Sequence, residues 1–515
     1  MNQRLRALCD LSAGSAREYV GLHEYDGKVE DLSPDGVRAG LARLGGPPEP
    51  DGHDEAQLAT FERLARLELG ELELHRANPL YHIGALDVSC YDREYAPAAE
   101  RAEARRRHLA AWPDAVDAAA QALDRVSAPV ADALLPAARG LAADLDPADA
   151  DPVVQRARAA HRRLVELLEV AARNGHPTAA LGRDALERLL ATGEAIQVDL
   201  GRLEERADAE RDRLRALLDD ACRRLAPGRP TAEVVAGLLR DHPDTDGVLT
   251  EAQAATAESI AFTVQRDLVP GLDGECLVAP APRSRRWAMA MMSWAAPYEP
   301  DAPSRYYVSP PEPDWPAAER DDWLKVFSRA TLPAITVHEV APGHFAHGRF
   351  LRRLTSDVRR TLHSPAFIEG WAHYGEELCI EEGFRAGDPR FTAGVALEAL
   401  QRVTRLAVSI GMHAGSMTVD DAAARFEADA FLYGSAARAE AARATFDPTY
   451  GRYTWGKLEI LRLREDARRR WRAGYSHARF HEALLRLGSP PLGLMAQALD
   501  GDPGAQGGRP GHRGW

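Results

Sequence analysis

His338-Glu339-Val340-Ala341-Pro342-Gly343-His344 is the stretch on which the reading of this chain turns. It follows Thr331-Leu332-Pro333, a helix start with proline in the first turn. An H-E-x-x-H pair places two histidines on one helix face, where they can bind one metal with the glutamate as general base. Here the fourth position after His338 is Pro342, which has no ligand atom. His344 comes two residues later, about 120° round a regular helix from His338. Both can reach one metal only if the helix breaks at Pro342-Gly343, and proline with glycine is the pair that breaks helices. The segment therefore reads as an H-E-x-x-H motif expanded by two residues. Taken alone, it equally fits a helix that ends at Pro342-Gly343 and leaves surface histidines.

Outward from this stretch, Ser364-Pro365 predicts the next helix, with Ser as N-cap and Pro at the first helical position. Glu369 sits in its first turns, within Ala366-Phe367-Ile368-Glu369-Gly370-Trp371-Ala372-His373-Tyr374. A carboxylate from a second helix would complete a His338, His344, Glu369 ligand set and leave a fourth position for water. Phe367, Ile368 and Trp371 make an apolar setting in which an unpaired glutamate is costly. Gly370 costs about 1 kcal/mol relative to Ala inside a helix, so it predicts close packing against the neighbouring metal helix. Two more pieces follow: Gly411-Met412-His413, near the end of a helix from Thr392, and Tyr450-Gly451-Arg452-Tyr453, leading into Trp455-Gly456-Lys457. A His and a Tyr are donors suited to a developing oxyanion. Without the first two pieces, a core histidine and a packed tyrosine pair are the plainer reading.

Most of the remaining chain reads as helix. Residues 98–126 are rich in Ala, Arg and Leu, and 153–174 and 181–225 carry apolar residues at three- and four-residue steps. Thr250-x-x-Gln253 reads as a capping box opening a helix to about Leu268, and Thr418-x-x-Asp421 as another helix start. Between residues 270 and 316 Pro and Gly become frequent, and Trp287–Trp294 can pair with Arg305–Ser309 as strands across Pro297–Pro303. The class is mainly α. The expected organisation is one unit over residues 1–500, a helical half to about 270 and a half carrying the metal site from 271. A disordered Gly- and Pro-rich tail, 501–515, follows.

The 515 residues carry 64 basic against 78 acidic side chains, a net charge of −14. That argues against a nucleic-acid binder or an anionic-membrane surface protein. Only Lys28, Lys325 and Lys457 among the basic residues are lysine, so arginine here is weak evidence of recognition. The five cysteines are far apart, with no C-x-x-C, which fits a reducing compartment better than a disulfide framework or thiolate zinc site. The first residues lack the apolar run of a signal peptide, and no stretch approaches a membrane span. The expected location is the cytoplasm.

The ordered set His-Glu-x-x-Pro-Gly-His, Phe-Ile-Glu-Gly-Trp-Ala, Gly-x-His and Tyr-x-x-Gly-Lys resembles the bacterial domain-of-unknown-function 885 family, over nearly the whole chain. That family is similar to gluzincin zinc metallopeptidases, with carboxypeptidase Taq, angiotensin-converting enzyme and thimet oligopeptidase as analogues. The resemblance implies a mainly helical fold with a deep central channel, a small sheet near the active site, and one zinc ion on the channel floor. It implies His338, His344 and Glu369 as ligands, Glu339 as base, and His413 and Tyr453 facing the oxyanion. Tyr450 matches a tyrosine that holds a substrate carboxylate, and Arg443 matches an arginine of the family pattern. Three positions depart from that pattern. Ser409 stands where Asp is common, His373 where an apolar residue is common, and Thr449 where Gln precedes the tyrosine. His373 reads as a supporting group or an alternative ligand.

These readings converge on a zinc-dependent hydrolase of short peptides or peptide-like amides, with Glu339 as general base. By charge, Arg443 and Lys457 are candidates for a terminal carboxylate, although Lys457 also reads as a solvated helix residue. Other classes compete: a non-catalytic metal- or ligand-binding protein on the same scaffold, a di-iron protein using Glu369, His373 and Glu376, and a helical interaction scaffold. The oligomeric state is open.

Overall fold

Helix-forming stretches make up most of the chain in the computed structural model, which describes residues 1–500 other than 144, 283–284, 287, 300–301 and 313. The expected tail, 501–515, and Trp287 lie outside the described residues. The elements that matter for the site are, in chain order, α1 (Ala98–Ala122), α2 (Pro152–Asn174), α3 (Arg183–Glu194), α4 (Leu200–Leu225) and α5 (Thr245–Gln265). Strands β1 (Cys276–Pro280), β2 (Ala290–Ser293) and β3 (Ser304–Val308) come next. Then follow α6 (Thr331–Glu339), α7 (His344–Leu351), α8 (Pro365–Glu381), α9 (Pro389–His413), α10 (Val419–Ala430), α11 (Gly434–Phe446) and α12 (Arg452–Trp471). The protein is mainly α, with one small sheet.

Local signals set several boundaries. Ser364 caps α8 by accepting from the Phe367 N–H, with Pro365 at the first position. Thr418 and Asp421 form a reciprocal capping box at α10. Two expectations need correction. The run 181–225 is two helices, broken at Ala195, whose φ is 50°. Ile196 keeps the apolar period across that break, so periodicity hides it. Helix α5 starts at Thr245 under an Asp244 cap, so Thr250-x-x-Gln253 lies inside it.

In the sheet, β2 and β3 pair antiparallel, with Ala290 opposite Val308 and Ser293 opposite Arg305, as expected from sequence. β1 adds a parallel strand on the other side of β3, Cys276 opposite Ser304, giving the order β1-β3-β2. A five-residue run between turns gave no distinct strand signal. Tyr306 on β3 reaches Thr336 Oγ1 of α6 at 3.5 Å, which sets the sheet beside the motif helix.

α4 lies along α9, α8 lies along α12, and α6 touches both α8 and α9. The largest core is continuous from Leu186 to Leu499, so it crosses the expected division near residue 270. α1 and α2 share a second core, with Trp112 and Leu168 fully buried. The α8–α12 contact rests on two glycines. A Cβ on Gly370 would fall 2.5 Å from a Gly456 backbone atom, so the two backbones meet there. The close packing predicted at Gly370 is therefore against α12, and not against the motif helix. Among the described residues no helix is long and apolar enough to cross a membrane.

Candidate metal centre

The expanded motif is built by a helix break. α6 ends at Glu339, and α7 begins at His344. Between them the Gly343 N–H donates to Val337 O at 3.1 Å and the Ala346 N–H to Val340 O at 3.1 Å. The Ala341–Pro342 peptide is cis. A Cβ on Gly343 would sit 1.8 Å from His338 O, so only glycine fits this turn. Trp371 of α8 donates to Pro342 O at 2.8 Å, and Gly375 leaves room for the Pro342 ring. The result brings the His344 ring to 4.7 Å from that of His338, at 85°.

Glu369 completes the convergence. Its Oε2 lies 3.5 Å from His338 Nε2 and 3.4 Å from His344 Nε2. Tetrahedral ligands about 2.0–2.1 Å from a zinc ion stand about 3.3 Å apart, so these separations fit the donor set. Glu339 supplies a further oxygen, within 4.8 Å of the ligand atoms of His338 and His344. His338, Glu339 and His344 are buried, and the Glu369 side chain is 22% exposed. Among the described residues the Glu339 carboxylate has no hydrogen-bond partner. Burial and Arg402 oppose a charge on His338, but Glu369 and Glu376 outweigh them and raise its pKa to about 9. Burial likewise opposes the Glu369 charge, and the two histidines hold it well below the usual carboxylate range.

Behind this set stands Glu376, fully buried one face along α8 from Glu369. Its Oε1 is 2.6 Å from His338 Nδ1, which leaves Nε2 pointing at the ligand cluster. Its Oε2 is 3.3 Å from both Arg402 Nη1 and His373 Nδ1. Arg402 also approaches Glu398 at 3.4 Å. His373 is fully buried, and burial lowers its pKa to about 4. It supports His338 through Glu376 and is not placed as a ligand. The carboxylate that the di-iron reading would take from Glu376 is here bonded to Arg402 and two histidines.

Tyr453 is the one expected oxyanion donor brought to the cluster. Its ring lies 6.4 Å from His338 at 23°, and its hydroxyl accepts from Arg443 Nη2 at 3.4 Å. The other, His413, is not. It is buried, and its Nε2 bonds the Ala444 carbonyl at 2.7 Å, where it ties α9 to α11. Tyr450 is also corrected. Its fully buried hydroxyl donates to Glu440, and its ring carries Arg443 at 4.5 Å and Arg405 at 5.0 Å. Ser409 donates to Pro448 O at 2.6 Å and so holds the loop before Tyr450. Lys457 is neither solvated nor free for substrate. It is fully buried, 2.5 Å from both Glu210 and Glu377. Arg213 completes that cluster.

The sequence reading missed Arg402 and Arg405, and gave Glu376 only a di-iron role. The available signal was the spacing of Glu369, His373 and Glu376, at steps of four and three, which lines one face of α8.

Two solved structures share this fold. One is a candidate lipoprotein of unknown function from Shewanella oneidensis, 19% identical, with a TM-score of 0.76 over 96% of this chain and 97% of that one. The other is a candidate lipoprotein from Colwellia psychrerythraea, 16% identical, with a TM-score of 0.78 over 97% of each chain. No curated protein matches. The family model described as a bacterial protein of unknown function (DUF885) matches residues 15–499, and the chain belongs to that family.

Proposed function

We propose that this protein is a zinc-dependent hydrolase of peptide or peptide-like amide bonds, similar in kind to gluzincin metallopeptidases, with one zinc ion held by His338, His344 and Glu369. The observation that carries the reading is one Glu369 carboxylate oxygen 3.5 Å from His338 Nε2 and 3.4 Å from His344 Nε2, with the unpartnered Glu339 beside the two histidines. Held by these residues, a zinc ion would supply Lewis-acid chemistry, polarising a carbonyl and bringing the pKa of a bound water towards 7. Glu339 takes the proton of the attacking water and passes it to the leaving amine. Tyr453 accepts a hydrogen bond from Arg443 and keeps its own proton to donate to the oxyanion.

A channel restricting substrates to short chains belongs to the same proposal. Five free cysteines favour a reducing compartment, and the net charge of −14 favours no nucleic-acid or membrane partner.

The test is Glu339→Gln in zinc-loaded protein, assayed on mixed short peptides. The variant should keep its zinc and lose hydrolysis by about 10²–10⁴-fold. Unchanged turnover would remove Glu339 as the base. A wild type that holds zinc and cleaves nothing would instead favour a metal-binding protein on this scaffold.

A further inference from the structure

The two histidines of the motif are held in different ways. His338 is fixed through its ring, by Glu376 on Nδ1. Among the described residues His344 Nδ1, which is buried, has no hydrogen-bond partner. The place of His344 is therefore set by the helix that carries it, α7, while Glu369 stands on α8. A segment near the end of the chain, 487–493, ties these two helices together. His347, one turn after His344, is fully buried against Phe367 and Trp371 of α8, at 5.4 and 6.4 Å between ring centres. Its Nε2 lies 3.1 Å from Ser489 Oγ. Burial, His363 and His344 hold the His347 pKa well below the usual histidine value, so this contact joins neutral groups. The Ser489 carbonyl accepts from the Ser364 N–H at 2.9 Å, at the cap of α8. One fully buried residue thus touches both helices. Glu194 closes the other side, accepting from the Ser364 hydroxyl at 2.9 and 2.8 Å and from the Leu492 N–H at 2.9 Å. Gly493 lets the segment in, since a Cβ there would fall 2.0 Å from Ala195 O.

We infer that His347 and Ser489 are positioning residues of the metal centre, and that segment 487–493 is a clamp holding the His344 helix against the Glu369 helix. This rests on the proposed zinc site. Ligand distances at a zinc ion hold within about 0.2 Å. A small shift of α7 against α8 is therefore felt at the 3.4 Å separation of His344 Nε2 and Glu369 Oε2. Other contacts of α7 act elsewhere along it. Trp371 holds the turn before it at Pro342 O, and Arg349 and Arg352 fix its far end to Asp273 and Glu299 O. His347 acts on the turn that follows His344. Linkage makes the effect reciprocal, so a clamp that favours zinc is itself tightened by zinc.

The experiment measures zinc affinity of the full-length protein by competition with a chelator, in the wild type and in Ser489→Ala, His347→Leu and His347→Gln. Ser489→Ala and His347→Leu should each lose about 10–100-fold, the usual cost of removing a group that orients a metal ligand. Combining the two should lose no more than either alone, because both remove the same contact. His347→Gln should bind zinc nearly as the wild type does, since its amide reaches the Nε2 position and can donate or accept. Zinc should also slow hydrogen exchange at the Ser364 and Leu492 amides of the wild type, and leave it unchanged in Ser489→Ala. Wild-type affinity in both Ser489→Ala and His347→Leu would overturn the inference and spare the metal reading. So would an equal loss in His347→Gln, exchange at Ser364 and Leu492 that ignores zinc, or losses confined to variants whose metal-free form is unfolded by circular dichroism. A wild type that takes up no zinc would overturn both.

Discussion

Glu376 decides how firmly the first histidine of the motif is held. Its carboxylate fixes His338 through Nδ1 and is itself fixed by Arg402, so the ring has little freedom to turn from the ligand cluster. Glu376→Gln keeps the shape and removes the charge. Zinc affinity, measured by competition with a chelator, should fall about 10–100-fold. Unchanged affinity would show that His338 needs no such support. The candidate ligands His338, His344 and Glu369, which the fold brings together, were legible because they sit in short motifs with a chemical logic of their own. The partners were not. Lys457 reads as a surface lysine until Glu210, 247 residues away in sequence, is brought beside it. His413 and Tyr450 look like free donors until the fold commits them to Ala444 O and Glu440.

At the level of elements, the site depends on where helices stop and how closely they approach. Gly370 and Gly456 bring α8 and α12 into backbone contact, and with them Glu369 and Tyr453. Gly370→Ala sets two effects against each other. Alanine gains about 1 kcal/mol of helix propensity. Its Cβ, however, would fall 2.5 Å from a backbone atom that cannot move aside, and overpacking typically costs about 1–3 kcal/mol. Packing should win, and thermal unfolding should show a lower Tm; a raised Tm would contradict the close approach. Helix starts at Ser364 and Thr418 were legible because a cap is a local interaction. The break at Ala195 and strand β1 were not, since one follows from tertiary packing and the other from a pairing partner distant in sequence.

Across the whole molecule, burial of ionisable groups sets the response to acid. Burial pushes His82 and His363 down to about 4 and His108 and His481 to about 3. Their folded pKa values lie below the unfolded value of about 6.5. Each therefore adds stability that is present above pH 6.5 and lost as pH falls towards 4. Glu377, Glu440 and Asp447 oppose burial through basic partners, and each is lowered to about 2, which extends the loss to lower pH. Glu68 and Glu194, raised by burial to about 7, and His23 and His338, raised against burial to about 9 by acidic partners, act in the opposite sense between pH 7.5 and 5, so the loss is read below that window. Urea unfolding should show a clearly lower midpoint at pH 3 than at pH 5. An equal or higher midpoint at pH 3 would contradict this account of the core. The mainly α class and the β2–β3 pairing were legible from composition and pattern. The continuity of one core from Leu186 to Leu499 was not, because long-range packing leaves no local period.

The central claim is that the break at Pro342-Gly343 makes a metal centre, and metal content tests it most directly. Elemental analysis of the purified, untagged protein should find about one zinc per chain, and His344→Ala, folded by circular dichroism, should have lost it. A wild-type protein that holds no metal after zinc addition and dialysis would contradict the claim, and the hydrolytic mechanism would fall with it.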